Sequence, residues 1–280
     1  MSDIIVKDLL NCKDILNIEH LGGPKRTEIN IYEVDEKGNE ILKETVQNKI
    51  VATGSIFNAI NVFQIQSPFI LPNYNEELDL ENTLDYSEIQ PYNTPCICLF
   101  CVSDEGCGTE PSEVFTANFI DRVDPKKIMP FRYVDPDDDL SEDLRKYYFG
   151  RKELIDENKI AYYFKAFSTT PQLNFKYADG TQVVPESMYS VDTSQAAEVW
   201  VETNLNISRE DLRDYFDQVI GWENARVSTI SLCYAWYADG LDPNNYRWYQ
   251  QIIPMTKLNF SFRLLHDLTG SLRFNYRIYF

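Results

Sequence analysis

Histidine is almost missing from this sequence: His20 and His266 are the only two in 280 residues, and neither stands in a nucleophile or metal-ligand pattern. A histidine general base, the commonest proton carrier of catalysis near neutral pH, has almost no representative here. The sequence also lacks a P-loop, a G-x-S-x-G nucleophile elbow, an H-E-x-x-H zinc helix and a strand-to-helix G-x-G-x-x-G turn. Two carboxylates joined only by folding leave no sequence signature. A hydrolase acting on cell-wall polymer therefore stays open as an alternative, although among 44 acidic residues a chance pair means little. The expectation is a protein that is not an enzyme and takes no cofactor.

Positive charge is scarce as well. Lys and Arg number 26 against 44 Asp and Glu, a net charge of −18, which repels phosphate backbones and argues against nucleic acid as the main partner. The balance is uneven. Residues 241–280 hold Arg247, Lys257, Arg263, Arg273 and Arg277 against Asp242 and Asp267, so 5 − 2 = +3 there and −18 − 3 = −21 for the remainder. That end is expected to meet an acidic neighbour.

Apolar runs near the roughly 20 residues that cross a bilayer are absent, and the opening MSDIIVKDLLNCKD breaks its apolar stretch with acids and a cysteine, unlike a secretory signal. A soluble protein made in a cytoplasm, with no membrane insertion, is expected. Six cysteines are too few for a disulfide scaffold, so reduced thiols are the default.

What the sequence does contain is core material, 44% hydrophobic with 14% aromatic. Near-helical spacing of Ile5, Leu9, Cys12 and Leu16 predicts a short helix over 2–18, and TEINIYEV followed by the turn Glu36-Lys37-Gly38-Asn39 predicts a hairpin. Ile56, Ala59, Ile60 and Phe63 predict a second helix, closed off by Pro68 and Pro72. Residues 73–95 carry Glu76, Glu77, Asp79, Glu81, Asp85 and Glu88 without one base and read as an extended acidic surface loop.

From residue 96 onward most segments read as strands: CICLFCV, IMPFRYV, KIAYYFKAF, LNFKYA, AEVWVETNLNI, ARVSTISLCYAWYA, KLNFSFRLL and SLRFNYRIYF. In the last two, Leu258, Phe260, Phe262 and Leu264 share one face, as do Leu272, Phe274, Tyr276, Ile278 and Phe280, with Arg273, Asn275 and Arg277 opposite. His266–Gly270 is expected to join them as an antiparallel pair. Two helices are predicted among the strands: LSEDLRKYYF, and SREDLRDYFDQV with Ser208 and Asp211 at capping-box positions and Leu212, Tyr215, Phe216 and Val219 facing the sheet. The fold class read from this is α+β, predominantly antiparallel β and sandwich-like, with a few short packed helices. Residues 1–47 form an N-terminal helix and hairpin, an attachment arm in this reading, and 48–280 a main β-rich domain.

Three clusters could carry a site. Cys96, Cys98, Cys101 and Cys107 form C-x-C-x₂-C-x₅-C, a candidate thiolate cage for zinc; strand alternation, which sets Cys96 and Cys98 on one face and Cys101 on the other, opposes it and favours structural thiols. Asp135, Asp137, Asp138, Asp139, Glu142 and Asp143 offer six carboxylates in nine residues to calcium. They lack the spacing of a calcium loop and read better as a solvated lead-in to a helix. Trp222, Trp236, Trp248 and Tyr249, with Arg273 and Arg277, make the C-terminal third rich in the side chains that anchor protein interfaces or stack on sugars.

The segments NKIVATGSIFNAINVF, CLFCVSDEGCGTEPSEV with its G-x-G-x-E at Gly106–Glu110, KKIMPFRYV, IAYYFKAFSTTP and the terminal LNFSFRLLHDLTGSLRFNYRIYF together resemble virion structural proteins of tailed bacteriophages, over about residues 48–280. The first 47 residues have no counterpart in that layout, and the cysteine cluster departs from it. The resemblance implies a non-enzymatic tail, baseplate or neck subunit, synthesised in a host cytoplasm and resident in the virion. Its partners would be copies of itself and other phage structural proteins, reached through the loops at 66–95 and 105–125 and the basic aromatic C-terminal region. A receptor- or carbohydrate-binding module at the particle tip is the alternative on the same residues.

Overall fold

The computed structural model describes residues 26–47, 49–51, 53–54, 73–80, 96–117, 121–183, 196–238 and 248–279; the helices expected over 2–18 and 54–66 lie largely or wholly outside them. Strands dominate and all pair antiparallel. A six-stranded sheet contains β1 (Arg26–Val34), β2 (Glu40–Gln47), β8 (Gln172–Tyr177), β9 (Gln182–Val183), β10 (Ala196–Ser208) and β14 (Ser271–Tyr279), in the order β2-β1-β14-β10-β8-β9. The second sheet runs β3 (Lys49–Ile50), β13 (Thr256–Leu264), β11 (Arg226–Ala238), β4 (Cys96–Ser103), β7 (Lys159–Ala166), β5 (Arg132–Val134). Beside that path β12 (Trp248–Pro254) pairs with β11 and β6 (Tyr148–Leu154) with β7.

Period-two burial explains the arrangement. In β14, Leu272, Phe274, Tyr276 and Ile278 are buried while the intervening side chains are half-buried, and Ile29 and Ile31 of β1 and Leu205 and Ile207 of β10 follow suit. These meet Phe100 and Val102 of β4, Ile230 and Leu232 of β11 and Leu258 and Phe260 of β13 in one apolar core drawn from both sheets. Burying an alternating face against another such face is what makes strands of this pattern stable.

The expected pairing of the last two strands is overturned. β13 belongs to the second sheet, and β14 lies between β1 and β10 in the first. The linker is a 3-10 turn, Leu265–Asp267, whose Leu265 is buried together with Leu268. Each strand carries an apolar face, and a hairpin would aim both faces the same way. Crossing between sheets lets them oppose, and the Phe260 and Phe274 rings meet edge to face at 5.3 Å.

The expected first hairpin is present as β1 and β2, with Asp35 closing the turn on Lys37 and Asn39. It is built into the first sheet, β1 pairing with β14 from Arg26↔Tyr279 to Val34↔Ser271, so a division at residue 48 does not separate it from its neighbours.

Among the described residues the two helices predicted between the strands are shorter than the periodicity predicts. The segment 140–149 yields only α2 (Glu142–Arg145) before entering β6, because Tyr148 and Phe149 are buried as strand residues; α1 (Tyr74–Glu77) lies earlier in the chain. The third, α3 (Arg213–Val219), starts late: Leu212 adopts a left-handed φ of 65°, its amide bonded to Phe131 O and its side chain buried. Phe216 faces the core and Tyr215 packs against it, whereas Val219, expected inward, is 52% exposed.

The reading of 73–95 as a surface loop is corrected for its first part. Tyr74, Asn75 and Leu80 are buried; the Tyr74 hydroxyl donates to Val123 O at 2.8 Å, and Asn75 Oδ1 accepts from the Ile252 amide at 2.8 Å. Residues 81–95 lie outside the described ones.

Candidate interaction surfaces

The predicted interface residues do not form one patch. Trp222 begins a 3-10 turn after α3, half-buried, with the Arg213 guanidinium 6.0 Å from its ring centroid. Trp236 lies opposite Gln250, Tyr237 opposite Tyr249 and Ala238 opposite Trp248 at the far end of β11 and β12; the side chains of Trp236, Trp248 and Tyr249 lie outside the described residues. Arg273 and Arg277 are on β14, in the other sheet.

The four described bases of the C-terminal stretch are paired inside the chain. Lys257 pairs with Glu105, Arg263 with Glu44 at 2.9 Å, Arg273 with Glu40, and Arg277 with Glu202 at 3.1 Å. The acidic partner expected for this end is, for these four bases, the protein itself. The signal was in the sequence only as the excess of acids elsewhere.

Two enclosed carboxylates, Asp211 and Asp139, are likewise saturated. Asp211 is fully buried; Oδ1 accepts from the Tyr148 hydroxyl at 2.7 Å, and Oδ2 from Lys165 Nζ at 2.6 Å and the Ser208 amide at 2.7 Å. Ser208 Oγ accepts from the Asp211 amide in return, so the residues expected to cap a helix instead close the turn between β10 and α3. Burial, then the neighbouring Asp211 carboxylate, push the Tyr148 hydroxyl well above its usual range. Asp139, from the acidic run, accepts from Tyr162 at 2.7 Å and from Arg145 at 2.6 Å, with Arg151 at 3.3 Å. Burial alone would raise its carboxyl, but the Tyr162 and Leu140 hydrogen bonds and the two guanidiniums outweigh that and hold it below the ordinary 3.8. Asp135 pairs with Lys159. With both oxygens occupied, the Asp211 and Asp139 carboxylates act as joints.

The cysteines are arranged differently from strict alternation. Leu99 is opposite Cys233 and Ile97 opposite Tyr234, so Cys98 is the extra residue of a bulge. Alternation resets there, and Cys98 packs into the same apolar cluster as Cys101 and Cys233. The Cys233 thiol is raised by burial and by its hydrogen bond with Cys101, which keeps it protonated. Cys107 sits against β13, its Sγ donating to Phe260 O at 3.1 Å. Among the described residues no three His, Cys, Asp or Glu side chains are grouped to hold a metal; the Cys96 side chain lies outside them.

Among the described residues two surfaces stand out. One is the outer edge of β2, which has no second strand partner among the described residues and where Ile41 is 56% and Leu42 53% exposed. Nearby, Glu44 bonds Arg263 and the Ser261 amide of β13, and Asn259, two residues earlier, donates to the carbonyl of Phe115, itself 53% exposed. The other is the outer face of the six-stranded sheet, where Asn30, Asn275 and Asn204 stand abreast on β1, β14 and β10. The sequence signal for that row was the polar alternation in each strand; which strands lie side by side was hidden.

Compared with models of known protein families, with curated proteins and with solved structures, the chain shows no match. Among the described residues no helix is long and apolar enough to cross a membrane.

Proposed function

We propose that this chain is a structural subunit that works by binding protein, copies of itself included, in the setting its sequence resembles, a tailed-phage particle. The observation that carries the reading is the outer edge of β2, which among the described residues pairs with β1 alone, with Ile41 and Leu42 more than half exposed on it and Phe115 exposed beside β13. Large apolar side chains left exposed at a sheet edge are characteristic of contact surfaces. The irregularity between Ile31 and Tyr32 leaves Lys43 unmatched on β2, where it pairs with Glu33 at 2.9 Å. A charged bulge of this kind disfavours indiscriminate strand addition, so the contact is a specific side-chain one. Two sheets facing each other across a shared core, sandwich-like, provide a rigid frame on which such a margin is held.

The test is the concentration dependence of mass in solution, by sedimentation and light scattering, for the wild type, Ile41→Lys and Phe115→Ser. Self-association that the substitutions abolish, with unchanged melting, supports the reading. A wild type that stays monomeric at every concentration, or that turns over purified cell-wall polymer, overturns it.

A further inference from the structure

We propose that the outer face of the six-stranded sheet is a binding platform for a neutral oligosaccharide, centred on Asn30, Asn275 and Asn204. This inference rests on the asparagine row of β1, β14 and β10 and not on the exposed apolar side chains of the β2 edge, and does not depend on that reading.

The three amides occupy one row across adjacent strands, Asn30 opposite Asn275 and Asn275 opposite Asn204. Each is half-buried between fully or nearly fully buried neighbours, so each points away from the core. Their orientations are locked. Glu202 as a carboxylate only accepts, so the Asn275 group donating to its Oε1 at 2.7 Å must be Nδ2. The same Nδ2 donates to Asn204 Oδ1 at 3.2 Å, which fixes the second amide. At the other end Thr45 donates to Asn30 Oδ1 at 2.7 Å.

What remains without a partner among the described residues is Asn30 Nδ2, Asn275 Oδ1 and Asn204 Nδ2. The row thus presents donor, acceptor and donor at strand spacing, about 4.8 Å apart. A sugar hydroxyl both donates and accepts, so adjacent hydroxyls can satisfy such a row in either sense. Because the amides are held by hydrogen bonds before any ligand arrives, little side-chain freedom is lost on binding.

Aromatic rings flank the row along the strands: Tyr32, opposite Arg273 with the guanidinium 5.5 Å from its ring centroid, and Tyr279, 5.8 Å from the ring of Trp200, itself buried. Along β14 they are about 20 Å apart at the rise of a strand, room for a short chain of sugar units. Charge selects the ligand further. Arg277 is neutralised by Glu202 and Arg273 by Glu40, leaving the face without a strong field of its own, while a net charge of −18 repels acidic polymers.

The experiment is binding of the full chain to arrayed neutral oligosaccharides of gluco-, manno-, galacto- and N-acetylglucosamine type, with sialylated and uronic-acid chains alongside. Titration calorimetry on the tightest neutral binder follows. Asn275→Ala and Asn30→Ala, on separate strands, should each weaken binding roughly tenfold, the scale of losing one to two hydrogen bonds, with unchanged melting. Phe115→Ser, on the assembly margin, should bind as the wild type does. Absence of neutral-glycan binding, preference for the acidic chains, or equal binding by both Asn variants and the wild type overturns the proposal.

Discussion

Lys165 donates from Nζ to Asp211 Oδ2 across 2.6 Å, joining β7 of one sheet to the turn that leaves β10 of the other. The lysine also donates to Asn206 O at 2.9 Å, so a single ammonium holds both the strand end and the turn. Removing it strands a fully buried carboxylate. Lys165→Met should therefore lower unfolding free energy by about 3–5 kcal/mol, read from urea denaturation. Lys165→Met with Asp211→Leu should recover part of the loss; a double variant no better than the single would contradict the buried-charge account.

Asp139 gives a pH signature. Its carboxyl is depressed in the folded protein relative to 3.8, so it releases its proton more readily folded than unfolded. Its stabilising contribution is present above the unfolded value and is lost as pH falls through the lower, folded one. The stability gap between wild type and Asp139→Asn should be constant above about pH 5 and narrow steadily below about pH 4, in urea titrations across that range.

The segment around α1 is a structural plug. Tyr74→Ala should cost about 3–5 kcal/mol through the cavity it leaves, and Asn75→Ala about 1–3 kcal/mol by leaving the Ile252 amide unpaired. Thermal melting checks both. If the segment were a detachable surface loop, neither substitution would move the midpoint.

Gly106 lies against β11, its amide donating to Ser228 Oγ at 3.0 Å. A Cβ there would fall 2.3 Å from Ser228 O, a backbone atom held in a paired strand. Gly106→Ala should cost about 1–3 kcal/mol; proteolysis of the 105–117 loop, faster in the variant, would report the same loosening locally.

Much of the strand content was legible because burial of one face imposes a period of two on the residues themselves. CICLFCV, KIAYYFKAF, LNFKYA and the last two strands all stand close to where alternation and β-branched or aromatic enrichment put them. Turn chemistry was equally local: Asp35 and Asn39 sit close enough in sequence to find each other without help from the fold. The short helices were harder. A four-residue turn such as α2 carries the same capping residues as a longer helix, and only the burial of Tyr148 as a strand residue ends it.

The amino-acid sequence by itself determined an antiparallel-β-dominated chain, its strand segments, its acidic balance and its poverty in histidine. Tertiary structure alone decided that β13 and β14 part to opposite sheets, that the C-terminal bases meet Glu40, Glu44, Glu105 and Glu202, and that three asparagines from distant strands stand in one row. The reason is physical. Alternation says which face of a strand seeks the core, but neighbours and opposing sheets are chosen by how all the faces pack at once.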